Sequence, residues 1–166
     1  MPPVTTFAPM DSPIGRLWLA VSDVGLLTVV RAESADVLLR EVAHRGRPDM
    51  RLDPDGVAEP MRQLHAYFAG ERRGFDLPLD FAGVSAFHVA VYRATMRVPY
   101  GETASYGEVA AMAGSPRAAR AAGGAMARCP LFPVVPCHRV IHADGSIGGW
   151  GPDPWIKRWL LDLERA

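Results

Sequence analysis

The sequence predicts an α+β chain on three observations. Apolar runs alternate with turns in the front part, helical spacing of apolar residues follows there and recurs behind, and the rear holds a helix-turn-helix outline. The 166 residues are 49% hydrophobic and 22% charged, enough for a packed core, and the length suits either one or two small domains. No apolar run is long enough to span a bilayer, and the N-terminus lacks the basic and apolar regions of a signal peptide. A cytoplasmic protein is expected.

The first apolar run is Leu17-Trp18-Leu19-Ala20-Val21 and the second Leu26-Leu27-Thr28-Val29-Val30, with Ser22-Asp23-Val24-Gly25 between them, which spells a β-hairpin. Ser34 is expected to cap a helix carrying Val37, Leu38 and Val42. A second helix with Met61, Leu64, Tyr67 and Phe68 should end near Gly70, and a further strand is expected from Phe75 to Leu79. His44 and His65 lack metal-ligand spacing, so this half is expected to be structural.

Beyond a junction at Asp80 to Val84, Ser85 should cap a helix from Ala86 to Arg97, stopped by Pro99. Ser105 to Ala113 reads as a short helix broken by Gly114, after which Ser115 and Pro116 open another towards Arg128. On that helix Arg117, Arg120, Gly124 and Arg128 share a narrow sector, while Ala118, Ala121, Ala122 and Ala125 form a small-residue side. Periodicity alone favours a core helix with solvated arginines over a nucleic-acid face. In the last helix Ile156, Trp159, Leu160 and Leu163 define the expected buried face and leave Glu164 at its margin.

Net charge is zero, from 18 basic and 18 acidic residues, so bulk electrostatics does not single out a nucleic-acid partner. The distribution leans one way: up to Val84 stand 9 basic and 12 acidic residues, a balance of −3, and from Ser85 on 9 and 6, a balance of +3. A surplus that small predicts weak, salt-sensitive affinity for DNA.

The run Val134-Val135-Pro136-Cys137-His138-Arg139-Val140 sets a cysteine beside a histidine that can activate it directly or through water. The pair alone serves catalysis or a satisfied core about equally well. Cys129 and Cys137 are the two cysteines, and a reducing cytoplasm would keep both free.

Around that run stand Val98-Pro99-Tyr100-Gly101-Glu102-Thr103, Ser105-Tyr106-Gly107-Glu108, Ser115-Pro116-Arg117-Ala118-Ala119-Arg120-Ala121, Gly148-Gly149-Trp150 and Lys157. In this order and spacing the chain resembles the O6-alkylguanine-DNA alkyltransferases, the methylated-DNA-protein-cysteine methyltransferases, most closely from about Phe87 to Glu164. The resemblance implies a ribonuclease-H-like N-terminal domain over 1–82 and a winged-helix-like DNA-binding and catalytic domain over 83–166. It also implies single-turnover repair, in which an alkyl group leaves O6 of a flipped guanine in duplex DNA and stays on Cys137.

The same resemblance implies site roles. His138 would act through water as general base, oriented by Glu164, and Tyr106 would help rotate the nucleotide and protonate the departing guanine. Arg120 would fill the vacated base stack from a helix in the minor groove, supported by Arg117, Arg128 and the small Ala121. Met126, Val140, Trp150, Gly151 and Lys157 would line the pocket, with backbone groups at Cys137 and Val140 reading the guanine amino group. No cofactor or metal is implied, the partner is double-stranded DNA carrying O6-alkylguanine, and a monomer in solution is expected.

Three departures from the family pattern carry expectations. Cys129 stands where an asparagine usually ties the recognition helix to the active-site segment, and a thiol makes such bonds poorly. Trp150 replaces a tyrosine, and Gly151-Pro152-Asp153-Pro154 replaces a glycine-rich loop, which predicts a stiffer pocket lip. Slower reaction with O6-benzylguanine than in a relative with the glycine-rich loop is the expected result, and equal rates would refute it. Three other functions fit parts of the sequence: a lesion binder without transfer, a winged-helix regulator, and a cysteine hydrolase. The first would replace the cysteine, the second needs no reactive thiol, and the third would turn over.

Overall fold

The computed structural model describes residues 3–148 and 153–166. The chain divides into two compact units, Met1–Val84 and Ser85–Ala166.

In the first unit, strands β1 (Thr5–Met10), β2 (Leu17–Val21) and β3 (Leu26–Arg31) form an antiparallel meander. The chain then crosses through helix α1 (Asp36–His44) to β4 (Met50–Leu52), which pairs in parallel with β1 and gives the order β3-β2-β1-β4. Ala20 and Leu27 from the sheet meet Leu38 and Val42 from α1, with Phe7, Trp18 and Val30 packed against them. Helix α2 (Ala58–Phe68) follows and ends before Gly70, whose φ of +76° suits glycine. The hairpin and both helices match their sequence patterns, whereas β1 and β4 carried no strong enough pattern to be foreseen.

Two expectations fail here. Ser34 does not cap α1: Ala35 holds the N-cap position, without a side-chain bond, and Val37 faces outward. Phe75 to Leu79 is not a strand but touches the sheet through one parallel bridge, Leu26 with Leu79. Pro78 has no N–H to offer a ladder, and the Gln63 side chain takes the backbone groups of Asp76, donating to its O at 3.1 Å and accepting from its N–H at 2.9 Å.

The buried Arg45 fastens the end of this unit by donating to three carbonyls, those of Ala82 at 2.6 Å, Leu27 at 2.8 Å and Asp80 at 2.9 Å. Arg45→Leu strands these acceptors, and an expected loss of roughly 3 kcal/mol follows from removing charge-assisted bonds to buried groups. Urea unfolding monitored by circular dichroism checks it.

The second unit begins with α3 (Ala86–Thr95), capped by Ser85, which accepts from His88 N–H. The helix stops at Thr95, two residues short of the expected Arg97. Strand β5 (Ala104–Ser105) leads into α4 (Tyr106–Met112), where Ser105 and Glu108 form a reciprocal capping box. Gly114, at φ +87°, turns the chain towards α5 (Ala119–Ala127). After α5 the chain forms a 3-10 turn at Cys137–Arg139, then β6 (Val140–Ile141), parallel to β5, and ends in α6 (Pro154–Arg165). Among the described residues no helix is long and apolar enough to cross a membrane.

The helix-turn-helix outline is present, but its second helix starts later than expected. Pro116 and Arg117 lie in a turn, Ala118 is the N-cap and Arg128 the C-cap. Arg117 and Arg128 therefore flank α5 instead of sharing one face of it. The ring of Pro116 fixes its own φ, but Ala118 N–H bonds back to Ser115 O at 2.9 Å and closes a turn before the helix starts. Ala122, Ala125 and Met126 are buried, while Arg120 and Ala121 are exposed. Tyr92 of α3 donates to Ala125 O at 2.8 Å and holds the C-terminal turn of α5 in place.

Candidate active site

Cys137 is 2% exposed at the start of the 3-10 turn, with its N–H bonded to Val135 O at 2.8 Å. His138 follows, fully buried, and its Nε2 lies 2.7 Å from Glu164 Oε2. Glu164 is also held by Arg139, whose Nε donates to Oε1 at 2.8 Å and Nη2 to Oε2 at 3.0 Å. Gly101 N–H adds a bond to Oε1 at 3.3 Å. Gly101 has a φ of +81°, and a Cβ there would stand 3.2 Å from the Glu164 carbonyl oxygen, so glycine permits this approach.

Glu164 is thus central, not marginal. The buried face of α6 comprises Ile156, Lys157, Leu160, Leu161 and Glu164, while Trp159 and Leu163 are half-buried. Apolar periodicity misplaced the face because two charged residues, seven apart and therefore on one side of the helix, belong to it. Arg139 is the residue that sequence reasoning missed. It also donates to Val98 O at 2.7 Å, and its guanidinium lies 5.6 Å from the Tyr100 ring centre. The one available signal was its place beside the Cys-His pair.

Lys157, 1% exposed, supplies a positive charge that acts on the thiol. It donates to Val140 O at 2.7 Å and to the Tyr106 hydroxyl at 3.4 Å. Burial lowers its pKa to about 8 against the opposing pull of a charged Cys137. Burial, and then contact with the Cys129 thiol, push the Cys137 thiol well above its ordinary range, while the Lys157 charge pulls it down. Burial lowers His138, although Glu164 favours its charged form, and burial followed by the charge of Cys137 raises Tyr106. The resting site is a thiol beside a neutral imidazole.

A carboxylate gripped by a guanidinium only accepts hydrogen bonds, so the His138 proton sits on Nε2 and its lone pair on Nδ1. That assigns Nδ1 as the basic nitrogen. Val140 O already accepts from Lys157, and Cys137 O accepts the Val140 N–H, so each carbonyl retains one lone pair for a ligand.

The structure brings Glu164 to His138, Arg139 and Gly101, and Lys157 to Val140 and Tyr106. Tyr106 is half-buried at the start of α4, against the His142 ring at 5.2 Å between centres and beside Gly123 of α5. Met126 is buried, its sulfur 3.8 Å from the Thr95 hydroxyl. Arg117, Arg120, Ala121 and Arg128 are exposed around α5. Trp150, Gly151 and Pro152, expected at the pocket lip, lie outside the described residues.

Comparison with known proteins converges on one family. Residues 6–81 match the model of the 6-O-methylguanine DNA methyltransferase ribonuclease-like domain, and residues 86–166 match that of its DNA binding domain. A methylated-DNA–protein-cysteine methyltransferase of Mycobacterium tuberculosis is 43% identical over 157 residues, 95% of this chain and 90% of that protein. A DNA base-flipping protein of Thermus thermophilus is 42% identical over 159 residues, 95% and 98% of the two chains. The crystal structure of Mycobacterium tuberculosis OGT in complex with DNA superposes with a TM-score of 0.82 at 40% identity, covering 96% of this chain and 92% of that one. With both halves matched and a buried imidazole–carboxylate pair directly following the buried thiol in the chain, this chain belongs to the O6-alkylguanine-DNA alkyltransferase family.

Proposed function

We propose that this protein repairs DNA by direct reversal, taking an alkyl group from O6 of guanine in duplex DNA onto Cys137 once per molecule. The observation that carries this is the buried His138–Glu164–Arg139 network directly after the buried Cys137, with Lys157 as the counter-charge. His138 Nδ1 takes the thiol proton through a water, and the Glu164 carboxylate stabilises the imidazolium that results. The Cys137 sulfur attacks the alkyl carbon, the carbon–oxygen bond breaks, and its electron pair stays with guanine, which takes a proton from Tyr106. A charged Cys137 holds the Tyr106 phenol protonated, and the thioether removes that charge. With Lys157 at its oxygen, the phenol then releases its proton more readily.

The exposed side of α5 is the DNA-contacting surface in this proposal. Ala121 permits close approach, Arg120 enters the stack when the guanine leaves it, and Arg117 and Arg128 meet phosphates from the two ends of the helix. In this proposal pocket walls come from Met126 and Val140. Domains are assigned to 1–82 for support and 83–166 for binding and chemistry. The need to keep an acceptor thiol reduced supports a cytoplasmic location.

Lys157→Met should raise the Cys137 thiol further and slow transfer roughly tenfold, the worth of about one pKa unit. In the unaltered protein the acid limb should fall below the ordinary imidazole value of 6.5, because His138 must stay neutral to act and burial lowers its pKa. Single-turnover rates across pH with O6-methylguanine duplex check both.

The deciding experiment is intact and fragment-ion mass spectrometry after mixing with duplex DNA carrying one O6-methylguanine, with Cys137→Ala and Cys129→Ala alongside. One methyl on Cys137, at no more than one per protein, is the expected result. Lesion binding without transfer overturns it in favour of a lesion-recognition protein.

A further inference from the structure

The exposed His142 takes no part in the mechanism above, yet its ring packs on that of Tyr106, 5.2 Å between centres and tilted by 53°. Strand register produces the contact. The parallel pair β5 and β6 aligns Ala104 with Val140 and Ser105 with Ile141, and one step further on stand Tyr106 and His142. A tight turn then fixes His142, whose N–H donates to Ser146 O at 2.9 Å and whose carbonyl accepts from Gly145 N–H at 3.0 Å. Gly148 lies against the edge of the ring: a Cβ there would stand 2.5 Å from His142 Nε2 and 2.9 Å from Cδ2, so only glycine leaves the imidazole its place. The ring is therefore held between Tyr106 and the Gly148 backbone.

Tyr106 has reason to be held. Turning a nucleotide and handing it a proton both depend on where the phenol points, and a half-buried side chain in the first turn of a helix keeps rotamer freedom on its open side. Lys157 meets the phenol at its oxygen, and His142 meets it at the ring. We infer that His142 is a positioning residue for alkyl transfer, its ring bracing Tyr106 in the rotamer from which the phenol rotates and protonates the guanine. This rests on the repair reading above. The brace is ring against ring, so an aromatic side chain without nitrogens serves as well.

The test is single-turnover methyl transfer by the full-length protein from O6-methylguanine duplex at rising duplex concentration. His142→Ala should lower the limiting rate about tenfold, within what a misplacement of about 1 Å costs, and leave the half-saturating duplex concentration within about twofold. His142→Gln, which keeps bulk but loses the ring, should be as slow, and carries the comparison if the alanine variant does not fold. His142→Phe should recover the limiting rate to within about threefold. In a Tyr106→Ala background, already slow, adding His142→Ala should slow transfer no further, because its partner is gone. Losses that multiply in the double variant, an unchanged limiting rate in both ringless variants, a loss confined to half-saturation, or recovery with glutamine instead of phenylalanine would each overturn the inference. Failure of the repair assignment reads differently: the unaltered protein then accepts no methyl, and this inference falls with it.

Discussion

Glu164→Gln is expected to lower stability and transfer together. The carboxylate accepts from His138, Arg139 and Gly101 in a site almost closed to solvent. An amide has nearly the same shape but no charge, so Arg139, 8% exposed, is left as a buried cation without its counter-ion. Breaking a buried pair in this way costs roughly 3–5 kcal/mol, a large part of a small protein's total stability. The amide can also present its NH2 group to His138 Nε2, which would reverse the tautomer and move the proton to Nδ1, where the base is needed. Transfer should slow by about a hundredfold or more, in the range that general-base assistance contributes. Thermal unfolding with and without DNA, alongside single-turnover rates, separates the two effects. Unchanged rates in a folded variant would remove Glu164 from the mechanism and leave it a packing residue.

Cys137→Ser should separate binding from chemistry. Oxygen for sulfur is a small change at a buried site, so the 3-10 turn and the His138 to Glu164 bond should persist. A hydroxyl, however, ionises far less readily than a thiol and is a much weaker nucleophile towards an alkyl carbon. Transfer should fall by roughly a thousandfold or more, while lesion-containing duplex still binds. Gel-shift affinity and methyl-transfer counts on the same preparation check this. Methyl transfer at near wild-type levels would move the acceptor elsewhere, with Cys129 the first suspect.

Much of the site was legible because its residues sit in short segments whose chemistry is local. The Cys-His pair, Tyr106 after its capping serine and the Arg120 helix could be located without coordinates. The hairpin and α2 were legible for the same reason, since turn residues and apolar spacing act over a few positions. The misses share an opposite cause. Phe75 to Leu79 has strand composition, but Pro78 and the side chain of Gln63 decide its bonding. Likewise α5 starts late because a turn at Pro116 and Arg117 closes first.

The sequence by itself determined the α+β class, the candidate nucleophile and its neighbouring base, and the family pattern, all of which depend on residue type and short-range spacing. Only the tertiary structure decided that Glu164 is buried and that Arg139 grips it. Charged side chains are normally solvated, and a buried one is tolerated when its partners satisfy it. For Glu164 those partners are Gly101, His138 and Arg139, the nearest 25 residues away along the chain. No local pattern encodes such a match, because the fold must first bring the partners together.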